Sequence, residues 1–425
     1  MKNFRKCIVA GACRLGEALR PVLIKIIPKD KLRRVKRSMI ETALSDNSSE
    51  KRQPYDKNAY PFGINLIGYI RSQMGLGEGC RLIAAALEKA GIPFCIIDTR
   101  VGNPYNHNEA GFDKKITQKP EYSINIFHIN PEQLYHLQLT LPQSTWERRY
   151  NIGIWLWELD EIPIEWEKAF LLLDEIWTPS LFCAEAFRKK SPIPVHVVPY
   201  GLEAKADKSV RREHFKLPCD KFLYLVMFDT NSTMERKNPI GAIKAYKRAF
   251  PKSEKGTGIV IKINNPTDEA VEKIKAELEG YPNVFIIEET LSKKKVHSLI
   301  SLCDVFVSLH RSEGFGLVIA EAMLLKTPVI ATNWSASADF MTTRTACCVD
   351  SELIEIKSDC SMYKAGMHWA EPDIVQAAVF MKLLKNDKGY CDEISENAYN
   401  YIISKYSIKK SSQIIKELVN RINCE

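Results

Sequence analysis

From residue 63 onward, short apolar runs alternate with segments whose apolar residues recur every three to four positions. The first half predicts strands over 64–70, 94–98, 124–129, 152–157, 175–178 and 195–199, with helices over 79–90 and 166–173 among them. The second half predicts strands over 222–228, 259–263, 284–287, 305–309, 329–331 and 347–349, separated by helices over 239–250, 268–279, 293–303 and 316–325. Strands alternating with helices form parallel sheets covered on both faces, so the fold class is α/β. A polar, charged stretch at 201–218 reads as a hinge, and amphipathic helices over 395–405 and 407–422 close the chain. The expectation is two Rossmann-like domains, 62–205 and 206–394, facing across a cleft, with 395–425 crossing back to the first. Ligands then bind at the carboxyl ends of the strands, where helix N-termini converge.

Charge changes the picture at one end. The chain carries +8 over 425 residues, yet residues 1–60 hold 15 Lys/Arg against 6 Asp/Glu, and the remaining 365 hold 45 against 46. A neutral body lacks the basic face that nucleic acid requires, so no nucleic-acid partner is expected. Within 1–61, Phe4, Ile8, Leu15, Leu19, Val22 and Ile26 recur at helical spacing, with Lys2, Arg5, Lys6, Arg14, Arg20 and Lys25 on the other faces. Arg14 and Glu17 interrupt the apolar core that a secretory signal needs. Two readings of this basic helical extension stay open: residues 1–40 lie in-plane on an anionic membrane surface, or they form a solvated helix or tail. No run approaches the roughly 18–20 apolar residues that span a bilayer. The 12 cysteines are scattered without a CxxC pair, which suits a reducing compartment. The expected location is the cytoplasm, or the inner face of the membrane as a peripheral protein.

The chemistry concentrates in Ser312-Glu313-Gly314-Phe315-Gly316-Leu317, between a predicted strand and a predicted helix. A helix opening at Gly316 aims unpaired N–H groups and a positive dipole end at the loop, which suits an anion. Glu313 at the mouth and Glu321 about one turn inside the helix then face a ligand carrying hydroxyls and phosphate. His310, just upstream, lines the same pocket. Arg236 and Lys237 precede Pro239 at the carboxyl end of another strand, placed to meet a diphosphate as permanent cations. In the first half, Gly75, Gly77, Glu78 and Gly79 lie between strand and helix, with Asp98 ending the next strand. That resembles a dinucleotide fingerprint, but the third glycine is Gly79 rather than residue 80 and Arg71–Met74 widen the loop. A loop lining the cleft fits better; an NAD-dependent oxidoreductase using Gly75–Gly79 and Asp98 is the competing class. His128 at a strand end fits either a satisfied core histidine or a sugar-hydroxyl contact. Glu158, in Trp155-Leu156-Trp157-Glu158, is an acceptor-side candidate at another strand mouth. There is no Asp-x-Asp, HExxH or GxSxG, so no metal or cofactor is expected.

Glu313-x7-Glu321 within Glu-Gly-Phe-Gly-Leu, the following Glu-Ala-Met and Pro-Val-Ile-Ala-Thr, and the upstream Arg-Lys-Asn-Pro resemble the retaining family 4 (group 1) glycosyltransferases of the GT-B fold. Gly-Leu-Gly-Glu, Trp-Glu-Leu-Asp, Val-Val-Pro-Tyr-Gly and Trp369-Ala370-Glu371-Pro372-Asp373 agree, the last with a bacterial subgroup. The resemblance covers about 62–425. It implies a hexosyltransferase type of enzyme that moves a sugar from a nucleotide-sugar donor to a glycan or lipid-linked acceptor in surface polysaccharide biosynthesis. Glu321 would hold the ribose hydroxyls, Glu313 the donor sugar, and the Gly314, Phe315, Gly316 and Leu317 backbone would lie against sugar and diphosphate. Arg236 and Lys237 would neutralise the leaving group, His128 best matches the family's sugar-contacting histidine, and the base pocket lies near 287–290 and Lys262. One departure is Ser232, where many members carry arginine; Arg236 is its expected substitute. A non-catalytic sugar-binding relative is the further alternative.

Overall fold

The computed structural model describes residues 52–101 and 111–424, with a few isolated positions before residue 52. The basic extension expected over 1–61 therefore lies almost wholly outside the described residues. Strands β1 (Ile64–Gly68), β2 (Phe94–Asp98), β3 (Ile124–His128), β4 (Tyr150–Ile154), β5 (Glu175–Thr178) and β6 (Val195–Val197) form one sheet in the order β2-β1-β3-β4-β5-β6. A second sheet, in the order β12-β11-β10-β7-β8-β9, comprises β7 (Phe222–Asp229), β8 (Thr257–Asn264), β9 (Val284–Ile287), β10 (Val305–Ser308), β11 (Val329–Thr332) and β12 (Cys347–Val349). Every pairing in both sheets is parallel. Central strands buried on both faces explain the near-continuous apolar runs of the sequence.

In the first half, α1 (Gly75–Ala90) follows β1, α2 (Pro131–Thr140) follows β3 and α3 (Leu181–Arg188) follows β5. In the second, the single turn α4 (Met234–Lys237) and α5 (Pro239–Ala249) follow β7, α6 (Asp268–Glu277) follows β8, α7 (Lys293–Leu302) follows β9 and α8 (Leu317–Leu324) follows β10. The chain ends with α9 (Ile374–Asn386), α10 (Lys388–Tyr406) and α11 (Ile408–Cys424). Caps fix several entries: Ser180 Oγ accepts from Cys183 N at 3.2 Å, and Asp373 Oδ1 accepts from Val375 N at 2.7 Å. The last helix packs on α1 of the first half, burying Ile415, Val419 and Ile422, and Arg421 pairs with the buried Glu175 of β5.

Several elements differ from the sequence expectation. Segment 166–173 falls in a 3-10 helix over Ile164–Leu172 that buries Trp166, Ala169 and Phe170. Helices α2, α3 and α9, and the antiparallel hairpin β13 (Ser351–Glu355)–β14 (His368–Pro372), were not expected. Helix α1 begins at Gly75, so the glycine cluster is its first turn and not a loop.

Candidate active site

In each sheet the chain reverses its direction of growth beside the first strand, between β1 and β3 in one and between β7 and β10 in the other. Such switch points open a crevice at the carboxyl ends of the strands. The segments after β7 and β10 carry Arg236, Lys237 and Glu313, so these residues converge through topology despite their distance in sequence.

Lys237 Nζ donates to Glu313 Oε1, and Arg236 Nη1 lies 3.4 Å from Glu313 Oε2. Arg236 is buried; its guanidinium also donates to the Ser312 carbonyl at 2.6 Å and to Ser232 Oγ at 2.8 Å. The guanidinium thus occupies the neighbourhood of Ser232. Glu158 from the first half approaches Arg236 at 3.8 Å, and its carbonyl accepts from Ser312 Oγ. Burial alone would raise the Glu313 carboxyl, but Lys237 and Arg236 outweigh it and pull it down to about 2. The loop is held from behind as well: Glu313 N donates to Ser335 Oγ at 2.8 Å, and the Gly314 carbonyl accepts from Ser180 Oγ at 3.1 Å across the cleft.

Gly316 caps α8 with φ of 91°, a left-handed conformation that side chains resist, so the turn that aims the helix N-terminus into the crevice depends on glycine. Phe315 is buried and packs against Tyr200 and Phe340, at centroid distances of 5.2 and 5.6 Å. Leu317 is partly buried in the same core. Along α8, Glu321 Oε1 lies 3.3 Å from Lys293 Nζ and 3.5 Å from His297 Nε2. Lys293 also binds Glu78 of α1, which Arg81 holds at 2.8 Å. Glu78 is thereby placed on the cleft wall, facing the second half.

Residues 223–350 match the family described as glycosyl transferases group 1, a stretch containing Arg236, Lys237, Glu313 and Glu321. No curated protein matches the chain significantly in sequence. Among solved structures, HepE from Anabaena in complex with UDP-glucose superposes with a TM-score of 0.60 at 14% identity, covering 85% of this chain and 100% of HepE. A glycosyltransferase from Rickettsia africae gives 0.62 at 13% identity, with 85% and 98% covered. Sucrose-phosphate synthase from Thermosynechococcus elongatus gives 0.62 at 13%, with 87% and 99% covered. The fold is GT-B. Its second half contains the stretch that matches glycosyl transferases group 1.

Within this GT-B cleft, the assignments of His310, the glycine cluster and Lys262 need correcting, and the two readings of His128 are decided. His310 is fully buried, with Nδ1 3.1 Å from Ser308 Oγ and Nε2 3.0 Å from Ser337 Oγ, so it braces the Glu313 loop and does not line the pocket. His128 is also fully buried, with Nε2 2.9 Å from the Tyr200 hydroxyl; burial lowers it to about 4, and the core reading holds. The glycines answer packing demands. A Cβ on Gly77 would meet the Ser72 carbonyl at 2.2 Å, and one on Gly79 would meet Tyr200 Oη at 2.5 Å and His128 Cε1 at 2.9 Å, whereas Gly75 has open space. Lys262 is buried, with Nζ donating to the Ile263 carbonyl and Asn264 Oδ1, and so does not reach toward a base.

Two residues were missed. Tyr363, in the segment joining β13 to β14, packs 5.6 Å from Trp157 and 6.0 Å under the Arg236 guanidinium, so a second-half segment lies between Arg236 and the first half. Glu132, in the first turn of α2, has a buried Oε2 without a hydrogen-bond partner, and burial together with Glu158 raises its carboxyl to about 7. The Asn-Pro-Glu at 130–132 was the available signal for a helix start.

Proposed function

We propose that the protein transfers a sugar from a nucleotide-sugar donor to a hydroxyl of a glycan or lipid-linked acceptor, with retention of anomeric configuration and without a metal. The observation that carries this reading is the Glu313 carboxylate clamped by Lys237 and Arg236 at the switch point, beside the N-terminus of α8. As the bond between the sugar C1 and the diphosphate oxygen breaks, its electron pair moves to the phosphate. Lys237, Arg236 and the α8 N–H groups stabilise that charge in a crevice closed to water. The acceptor oxygen bonds to C1 from the same face, and its proton passes to the departing phosphate oxygen. Glu313 orients the donor sugar and Glu321 the ribose hydroxyls; Glu158 lies on the acceptor side. The acceptor assignment to surface polysaccharide rests on the sequence resemblance.

UDP is the natural first probe, because HepE was solved with UDP-glucose. Thermal shift with UDP, GDP, ADP and NAD, repeated on Glu321→Ala and Lys237→Ala, tests the reading. A nucleoside diphosphate should stabilise the wild type and lose most of that shift in both variants. Stabilisation by NAD alone, or a nucleotide shift indifferent to both substitutions, would sink it. Retention is read by NMR of the product anomer, and metal independence by turnover unchanged in EDTA. The charge excess of residues 1–60 supports contact with an anionic membrane surface; liposome co-sedimentation unaffected by deleting 1–45 would dispose of that part. Among the described residues no helix is long and apolar enough to cross a membrane.

A further inference from the structure

Helix α7 touches both halves of the molecule and the segment between them. From its first turn, the Lys293 ammonium binds Glu78 on α1 of the first half and lies 3.3 Å from Glu321 on α8 of the second. One turn on, His297 Nδ1 accepts from the backbone N–H of Lys205 at 3.1 Å, in the connecting segment. The same nitrogen lies 3.3 Å from the Lys205 carbonyl, and Nε2 faces Glu321 Oε1 at 3.5 Å. The adjacent Ser298 Oγ accepts from Asp207 N at 2.8 Å, and Lys294 pairs with Asp207 at 3.4 Å. Two residues of one helix therefore flank Glu321, His297 tied to the hinge and Lys293 to the opposite domain.

The Lys293–Glu78 pair exists only when the cleft is closed, because its members belong to different halves. The Lys293–Glu321 pair lies within the second half and survives opening. A carboxylate has lone pairs on two oxygens, so Lys293 on Oε1 leaves Glu321 with acceptor capacity for ribose hydroxyls. Burial disfavours the ammonium, but Glu321 and Glu78 outweigh that and hold Lys293 above its usual range, so the clasp is charged at neutral pH. Arg81 supplies the remaining compensation for Glu78.

We propose that Lys293 is a positioning residue that couples nucleotide binding to domain closure, by sharing one ammonium between the ribose carboxylate Glu321 and Glu78 across the cleft. The proposal rests on the donor-site reading above for the role of Glu321. Linkage then requires reciprocity: the clasp strengthens nucleotide binding by the same factor as bound nucleotide strengthens the clasp.

The experiment is isothermal titration with UDP together with small-angle scattering, with and without UDP, on the full chain and three variants. Glu78→Gln breaks the clasp while leaving every second-half residue in place. It should bind UDP about fivefold more weakly and scatter with a larger radius of gyration. Lys293→Arg should keep wild-type affinity and radius, and Lys293→Met should lose more affinity than Glu78→Gln because Glu321 also loses its partner. A purely local role for Glu78 predicts the opposite sign, since removing a negative charge near a diphosphate strengthens binding. Equal or tighter UDP binding by Glu78→Gln at an unchanged radius would overturn the proposal. Should the wild type fail to bind UDP, the donor reading fails separately, and the radius without nucleotide still decides whether Glu78–Lys293 holds the cleft shut.

Discussion

At the level of single residues, the site is a set of charges whose burial is tolerated only because they meet. Glu313 has little exposure, Arg236 has almost none, and Lys237 closes the group from the outer side. Removing one member of a buried pair leaves the others desolvated and unpaired. Glu313→Gln should therefore lower stability by about 3 kcal/mol at neutral pH, as well as abolishing turnover. The pH dependence carries the sign of its mechanism. With the folded carboxyl at about 2, below its ordinary range, its stabilisation is complete above about pH 4.3 and is lost as pH falls toward 2. The stability gap between wild type and Glu313→Gln, read by denaturant titration, should therefore shrink across that acid window. Glu132 behaves oppositely. Its folded carboxyl is raised to about 7, so it destabilises the fold increasingly between about pH 4.3 and 7. Glu132→Gln should melt higher than wild type at pH 8 and equal to it at pH 4. A gap independent of pH would show that the carboxyl is not held protonated.

At the level of elements, glycine has two uses in this chain, and sequence separates them poorly. Gly316 is needed for its left-handed backbone at the mouth of α8, and the motif around it was readable because strand, glycine turn and helix follow in order. Gly77 and Gly79 look similar in sequence, yet their demand is steric, and the atoms they accommodate come from Ser72, Tyr200 and His128. Gly79→Ala should force the His128–Tyr200 pair apart and cost about 1–3 kcal/mol by thermal melting, with nucleotide affinity nearly kept. Loss of nucleotide binding without loss of stability would restore the reading of a glycine segment that lines the cleft. The strands of both sheets were legible because double-sided burial makes them continuous apolar runs. The hairpin β13–β14 was not, since β13 is half-exposed and mixes Ser, Glu and Ile. A row of buried asparagines was also hidden: Asn65, Asn125 and Asn151 stand in register on β1, β3 and β4, with Nδ2 of one donating to Oδ1 of the next at 2.9 and 2.7 Å. In sequence each is a lone polar residue in an apolar run, and only the register joins them. His310 was misassigned and His128 left between two readings for a related reason, because a strand-end position does not reveal whether neighbours satisfy the ring.

At the level of the whole molecule, the two halves are joined by more than the connecting segment and the cleft. Helix α11 leaves the second half and lies along α1, and its start is tied by the Leu202 N–H donating to the Tyr406 carbonyl at 2.7 Å. Ile415, Val419 and Ile422 are fully buried in the same core as Ile83 and Leu87 of α1. Arg421 reaches Glu175, a fully buried carboxylate of β5 that also accepts from Trp177 Nε1 at 2.6 Å. The last helix of the chain therefore completes the core of the first domain. Val419→Ala should cost about 2–3 kcal/mol through the cavity it leaves. Deleting residues 408–425 should expose α1 and make the first half the faster target of limited proteolysis, while the second half, with its own core around β7, β8 and α5, stays resistant. Arg421→Ala separates the contributions, because it removes only the partner of Glu175 and leaves the apolar contacts intact. It should destabilise less than the truncation and retain the wild-type digestion pattern. If the truncated chain digests uniformly, or its second half is cut first, α11 belongs energetically to the domain it follows in sequence and not to the one it covers.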